Sequence, residues 1–131
     1  MHPLRELICG IVESQCKSDR VAVLLSGGID SMTCAFAAQA TGKDVVAYTF
    51  QVGEWESEDS ASARQFCNQF GWEFNLVRVP IDNLEQDFLS LAEKYQCRKK
   101  TQFECTFPFM HLFPEIEPEY VSVSYTHLTL P

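Results

Sequence analysis

The chain has 131 residues, of which 46% are hydrophobic and 21% charged, and its formal net charge at pH 7 is -8. This composition fits one globular domain, and the length is small for a complete two-substrate enzyme. So acidic a surface repels phosphates, which argues against a nucleic-acid partner. No run of about 18 apolar residues and no basic-then-apolar leader occurs, so we expect a cytoplasmic protein with no membrane partner.

The first half of the chain alternates between helical and strand patterns. Pro3 opens an apolar stripe of helical spacing over residues 3–17, and Arg20 to Leu25 is a short apolar run that predicts a buried parallel strand. Further helices are predicted at 31–40, 57–70 and 83–96, and further strands at 44–50 and 74–79. The fold class that follows is α/β, a parallel sheet with helices on both faces.

The pattern is less regular after residue 97. The aromatic stretch 101–113 is apolar enough to be buried, and Pro108 predicts a helix there that is kinked or broken into two turns. Residues 120–125 alternate in the manner of a fourth strand, and residues 126–131 are expected to form an unstructured or foreign tail. The six cysteines contain no Cys-x-x-Cys pair, which predicts reduced, buried thiols rather than disulfides or a zinc site.

The segment Ser26-Gly27-Gly28-Ile29-Asp30-Ser31 connects the first strand to the next helix. Paired glycines allow a sharp turn and close approach of a ligand, while backbone N–H groups and the helix N-terminus favour an anion. The hydroxyls of Ser26 and Ser31 add donors to phosphate oxygens. The loop therefore predicts a phosphate site, and it lacks the lysine of the Gly-x-x-x-x-Gly-Lys motif.

Asp30 carries a negative charge beside this predicted anion site. A cation between the carboxylate and a phosphate would remove the repulsion, so we predict Mg²⁺ bound by Asp30. The alternative is a plain glycine turn in which Asp30 merely caps the helix.

Leu25-Ser26-Gly27-Gly28-Ile29-Asp30-Ser31 resembles the pyrophosphate loop (PP-loop) of the ATP pyrophosphatase superfamily. The resemblance implies a three-layer α/β sandwich of the adenine nucleotide alpha-hydrolase (HUP-like) type that uses ATP and Mg²⁺. In this superfamily a substrate oxygen attacks the α-phosphorus of ATP, pyrophosphate leaves, and a nucleophile, often ammonia, then displaces AMP.

Two further segments are similar to the asparagine synthetase-like branch. They are Ser57-x-Asp59-x-x-x-Ala63-Arg64 and the stretch from Lys100 to Pro108. This resemblance favours adenylylation of a small carboxylate followed by amidation, with an ammonia-supplying partner. A NAD or GMP synthetase-like, deazapurine-forming or tRNA-modifying enzyme stays open, as do a non-catalytic nucleotide-binding fragment and a homo-oligomer.

The resemblance also implies roles for individual residues. Ser26, Gly27, Gly28, Ile29, Asp30 and Ser31 would hold the pyrophosphate of ATP, and Leu25, Tyr48, Thr49 and Phe50 would hold adenine. Arg98, Lys99 and Lys100 could neutralise phosphates, or could form a solvated basic helix end. The loop around Trp55, with Glu54, Glu56, Glu58 and Asp59, could hold a second metal or an amine, or could be a solvated acidic loop.

The resemblance covers roughly residues 18–119. In the asparagine synthetase group the following strand leads to a Ser-Gly-x-Gly-x-Asp-Glu-like segment, and no such segment follows Tyr120 to Tyr125. We therefore expect residues 1–119 to form an ATP-binding domain that is incomplete at its C-terminus, with a possible fourth strand and the tail at 120–131.

Overall fold

The computed structural model describes residues 2–26, 28–118 and 120–122, the last three by their backbone. Within these ranges the elements in chain order are α1 (Pro3–Gln15), β1 (Arg20–Leu24), α2 (Ile29–Ala40), β2 (Asp44–Val52), α3 (Glu58–Phe70), β3 (Glu73–Val79), α4 (Leu84–Tyr95), α5 (Lys100–Leu112), a 3-10 turn (Phe113–Glu115) and β4 (Tyr120–Ser122). Every helix and strand predicted up to residue 96 is present within a few residues of its predicted bounds.

The strands form one parallel sheet in the order β3-β2-β1-β4. β1 is an interior strand, paired with β2 from Arg20↔Asp44 onward and with β4 from Val21↔Tyr120 onward. The predicted fourth strand is confirmed at Tyr120–Ser122, while the rest of the predicted strand and the predicted tail lie outside the described residues.

Both faces of the sheet are covered, which explains why β1 is apolar at successive positions. Val21, Val23 and Leu25 pack on one face against α2 and α3, whereas Ala22 and Leu24 pack on the opposite face against the end of α5. The result is the predicted three-layer α/β sandwich.

Local signals in the sequence set the ends of α3. The Ser57 hydroxyl accepts a hydrogen bond from the N–H of Ser60 at 3.1 Å, as expected of an N-cap. Gly71 ends the helix in the left-handed conformation with φ 74°, where a side chain would be strained.

Pro108 does not break the helix in which it lies. α5 runs through it from Lys100 to Leu112, so the predicted division into two turns is wrong. The proline ring removes one helical hydrogen bond, but the helix buries Phe107, Phe109 and Leu112 against the sheet and α4. Burial of these side chains offsets the local cost.

Candidate nucleotide site

The predicted phosphate loop lies at the carboxyl end of β1. The N–H of Leu25 donates to the carbonyl oxygen of Tyr48 at 2.8 Å, which extends the pairing with β2 by one residue. Gly28 is the N-cap of α2, and its carbonyl oxygen accepts the first helical hydrogen bond from Met32 at 3.0 Å. Strand, loop and helix therefore occur in the predicted order, while Gly27 lies outside the described residues.

The two serines of the loop hold it closed from both ends. The Ser31 hydroxyl accepts from the backbone N–H of Ser26 at 3.2 Å and donates to the carbonyl oxygen of Gly28 at 3.2 Å. The two hydroxyl oxygens lie 3.3 Å apart, and the N–H of Gly28 donates to the Ser26 hydroxyl at 3.3 Å. Backbone and hydroxyl groups that now bond to one another are thus gathered in one small region next to the start of a helix, which suits an anion that would take the place of these internal bonds.

Asp30 lies in the first turn of α2 and is exposed. No side chain caps this helix, which does not support the alternative in which Asp30 serves as a cap. Among the described residues, no hydrogen bond or ion pair engages the Asp30 carboxylate, so it remains able to bind a cation that accompanies phosphate. Within the same residues, no group of three or more His, Cys, Asp or Glu side chains is arranged to hold a metal by itself.

A cavity of about 310 Å³ opens beside the loop. Five of its lining residues belong to the predicted ATP site: Leu25, Ser26, Tyr48, Thr49 and Phe50. Six more complete the wall: Leu24, Val52, Trp55, Ser57, Asp59 and Leu112. The structure therefore brings the four predicted adenine residues and Ser26 of the phosphate loop to one cavity, whereas Gly28, Ile29, Asp30 and Ser31 do not line it.

Tyr48 and Thr49 are held firmly in this wall. Their exposed fractions are 3% and 6%, and the Tyr48 hydroxyl accepts a hydrogen bond from the N–H of Glu117 at 3.2 Å. This bond ties the middle of β2 to the segment that leads into β4. A ligand that contacts these two residues would meet side chains fixed by burial and, at Tyr48, by this hydrogen bond.

Leu24, Val52 and Leu112 line the cavity although none of them was predicted as a site residue, and Leu112 is the one most distant in sequence. Leu112 is 1% exposed and lies at the end of α5, between 53 and 88 residues along the chain from the other wall residues. Its apolar character was visible in the sequence, but its place in the cavity depends on how α5 crosses the sheet.

The basic cluster lies at the start of α5, and none of its three residues lines the cavity. The backbone N–H groups of Arg98 and Lys99 donate to the side-chain oxygen of Gln102 at 2.9 and 3.1 Å. Lys100 forms an exposed pair with Glu104 at 3.5 Å. Phosphate contacts by these residues remain a prediction.

A larger cavity of about 680 Å³ lies between α1 and α2, with mostly apolar walls that include Leu4, Ile8 and Phe36. It shares no residue with the phosphate loop. The larger cavity would be chosen on volume alone, but the hydrogen-bonding groups of the phosphate loop lie at the smaller cavity.

The sheet topology independently favours the carboxyl end of β1. The connection after β1 leads to β2 on one side, whereas β4, the other neighbour of β1, is reached from β3 through α4 and α5. The strand order therefore reverses at β1, and open α/β sheets bind ligands in the crevice at such a switch point.

In the described part of the chain, no helix has the length and apolarity needed to span a membrane.

Fold and loop together define a PP-loop ATP-pyrophosphatase-type domain, and comparison with known proteins agrees. The family model described as asparagine synthase matches residues 3–123. The chain belongs to the asparagine synthase family. The NMN synthetase of Francisella tularensis shares its fold, with a TM-score of 0.62 at 18% identity over 91% of this chain and 51% of that one. The NH3-dependent NAD synthetase of Campylobacter jejuni gives a TM-score of 0.61 at 19% identity over 85% and 49% of the two chains.

Sequence relatives point to a particular branch. The 7-cyano-7-deazaguanine synthase of Bacteroides fragilis is 38% identical over 104 residues, covering 74% of this chain and 46% of that protein. Across relatives of this name, the chain spans from about a quarter to about half of their length. These relatives favour the deazapurine-forming alternative over the amidation of a small carboxylate.

Proposed function

We propose that this chain forms the ATP-binding part of an AMP-forming ligase, which activates a carboxylate with ATP and transfers it to ammonia. The observation that carries this proposal is the hydrogen-bonded loop of Ser26, Gly28 and Ser31 beside the cavity at the carboxyl end of β1. The loop offers donors for pyrophosphate, and the cavity offers walls for a nucleoside. Ile29 is 82% exposed at the first position of α2, so its contribution would be through its backbone.

The proposed reaction has two steps. A carboxylate oxygen bonds to the α-phosphorus of ATP while the bond from that phosphorus to the bridging oxygen breaks and pyrophosphate leaves. Ammonia then attacks the acyl carbon of the adenylate, AMP leaves with the former carboxylate oxygen, and the surplus proton passes to solvent. Mg²⁺ accompanying ATP would neutralise charge on the phosphates.

Ser26, Gly28 and Ser31 would hold the leaving pyrophosphate by hydrogen bonds, and Asp30 would hold the cation. The described part of the cavity wall carries no histidine, so rate enhancement would come from positioning and charge neutralisation.

We propose a carboxylated deazapurine as the acceptor. A nitrile carbon and a carboxylate carbon have the same oxidation level, so two rounds of activation and one ammonia suffice to convert one into the other without a redox cofactor. The name and 38% identity of the Bacteroides relative support this choice. The chain matches part of that protein, so the activity of the whole enzyme is itself part of the proposal.

The second candidate is amidation of a small carboxylate such as aspartate, with ammonia from a partner protein. The asparagine synthase family model over residues 3–123 favours it. One round of activation would then complete the reaction. The stoichiometry of AMP to product, one for an amide and two for a nitrile, separates the two candidates.

The test is calorimetric titration of the protein with ATP, with and without Mg²⁺, followed by assays of AMP and pyrophosphate. We expect Mg²⁺-dependent binding that Asp30→Asn weakens by at least 10-fold. Asp19→Asn is the matched control, because Asp19 is exposed at the opposite end of β1. Absence of ATP binding, or unchanged affinity in the Asp30 variant, would contradict the nucleotide and metal roles respectively. Binding without turnover would favour a non-catalytic module.

A further inference from the structure

Trp55 is the most exposed of the large apolar side chains, at 86%, among the described residues. It nevertheless lines the 310 Å³ cavity together with Tyr48, Phe50 and Leu112. A tryptophan left in water beside an apolar cavity keeps a large flat face available for another ring. Its position therefore calls for a ligand with an aromatic system.

The loop that carries Trp55 is anchored at both ends. Gly53, with φ 71°, donates its N–H to the carbonyl oxygen of Val79 at 3.0 Å and accepts from the side-chain nitrogen of Gln51 at 3.3 Å. At the other end, Ser57 caps α3. Three residues, 54–56, span the distance between these anchors. The short span restricts where the indole can lie, which lowers the entropy lost when a ring stacks on it.

The cavity wall includes both an acidic side chain and a residue of the phosphate loop. Asp59 lines the cavity together with Trp55, and Glu54, Glu56 and Glu58 are close to it in sequence, although Glu56 is paired with Arg64 at 3.4 Å. Ser26 of the phosphate loop lines the same cavity, and its hydroxyl accepts a hydrogen bond from the N–H of Gly28. A polyanionic nucleotide would place its phosphates beside the phosphate loop and its uncharged ring beside Trp55 and the acidic residues, where phosphates would be repelled.

We propose that Trp55 is a stacking residue that closes the outer wall of the base site and takes the adenine ring of ATP. The proposal deepens the proposed function and rests on it. Trp55 contributes affinity through the face of the base, independently of the phosphates. Asp59, whose carboxylate accepts hydrogen bonds, favours a base with an exocyclic amine at position 6 over one with a carbonyl there.

The chain contains two tryptophans, which makes a direct optical test practical. Trp72 is 7% exposed, packs against Phe36 and Phe70, and its indole nitrogen has no hydrogen-bond partner among the described residues. Trp72→Phe should therefore be tolerated, and it leaves Trp55 as the sole reporter. We expect MgATP and adenosine each to quench its fluorescence, with GTP less effective by about 10-fold in concentration.

The nucleotide affinities of Trp55 variants test whether this side chain stacks on adenine. Trp55→Ala should bind MgATP and adenosine about 5- to 50-fold more weakly, by the same factor for both, and Trp55→Phe should recover most of the loss. Tyr95→Ala is the control, since Tyr95 is a 58% exposed aromatic residue outside the cavity. A wild-type protein that binds MgATP while Trp55→Ala retains full affinity would overturn the stacking role alone. A loss for MgATP without a loss for adenosine would also overturn it. A wild-type protein that binds no nucleotide would overturn the proposed function and this inference together.

Discussion

His111 and Asp87 join two helices through one hydrogen bond. Nε2 of His111, in the last turn of α5, lies 2.8 Å from Oδ2 of Asp87, in the first turn of α4. Their side chains are 25% and 14% exposed, so water competes weakly for this bond. The next residue after His111 is Leu112, which lines the cavity. The pair therefore helps to fix one wall of the candidate site.

Removing either partner should destabilise the fold. We expect His111→Gln or Asp87→Asn to lower the free energy of unfolding by about 1–2 kcal/mol, because a partly buried polar group would lose its partner. Urea denaturation of both single variants and the double variant would give the coupling energy of the pair. The exposed Lys100–Glu104 pair is the control, and Lys100→Ala should cost about 0.5 kcal/mol or less. Additive single-variant effects would contradict the coupling.

Gly28→Ala should separate nucleotide binding from folding. The φ of Gly28 is -76°, which any residue adopts, so the backbone tolerates the change. An added Cβ would lie 3.3 Å from Oγ of Ser26, in the region where loop donors converge. We expect stability to change by about 0.5 kcal/mol or less and ATP affinity to fall roughly 10-fold or more.

Gly10→Ala provides the matched control in α1. A Cβ there meets nothing within 4 Å, and alanine is the better helix former, so the variant should gain about 0.5–1 kcal/mol. Its ATP affinity should match that of the wild type. Equal effects of both glycine variants on ATP binding would argue that the loop is not the phosphate site.

Cys67 should make stability depend on pH above neutrality. Burial in the core between α3 and the sheet raises the pKa of its thiol from an ordinary value of 9.0 to about 11. The folded state then binds the proton more tightly than the unfolded state does. The contribution of this raised pKa to the free energy of unfolding is present in full below pH 9 and is lost as pH rises towards 11. Thermal unfolding across this range, compared with Cys67→Ala, would measure the loss; the exposed Cys105 gives the control variant.

Arg98, Lys99 and Lys100 allow a test of direct against long-range charge effects. None of them lines the cavity, so the triple alanine variant should weaken ATP binding by about 2- to 3-fold at low ionic strength and hardly at all in high salt. A loss of 10-fold or more that persists in high salt would establish direct phosphate contacts.

Sequence patterns were sufficient to predict those helices and strands whose bounds are set by their own residues. The apolar run before Ser26, the cap at Ser57 and the stop at Gly71 each fix one element through its own residues. The same patterns did not reveal Leu112 as a cavity wall, because its position depends on the packing of α5 across the sheet. Of the two outcomes predicted for Pro108, a kink or a division into two turns, the division did not occur, since tertiary burial outweighed a local preference. The sequence placed Trp55 beside the predicted site, but only the conformation of its loop shows that the side chain lines the cavity.

The pairing of Val21 with Tyr120 has a consequence for the order of events during synthesis. The strand that carries the phosphate loop gains its second neighbour only from residues about one hundred positions later in the chain. A ribosome delivers residues from the N-terminus onward, so β1 remains an edge strand until the residues around Tyr120 have been made. Its unpaired side would be open to strands of other chains during that interval. Amide exchange on nascent chains stalled before and after residue 120 would show when the β1 amides become protected.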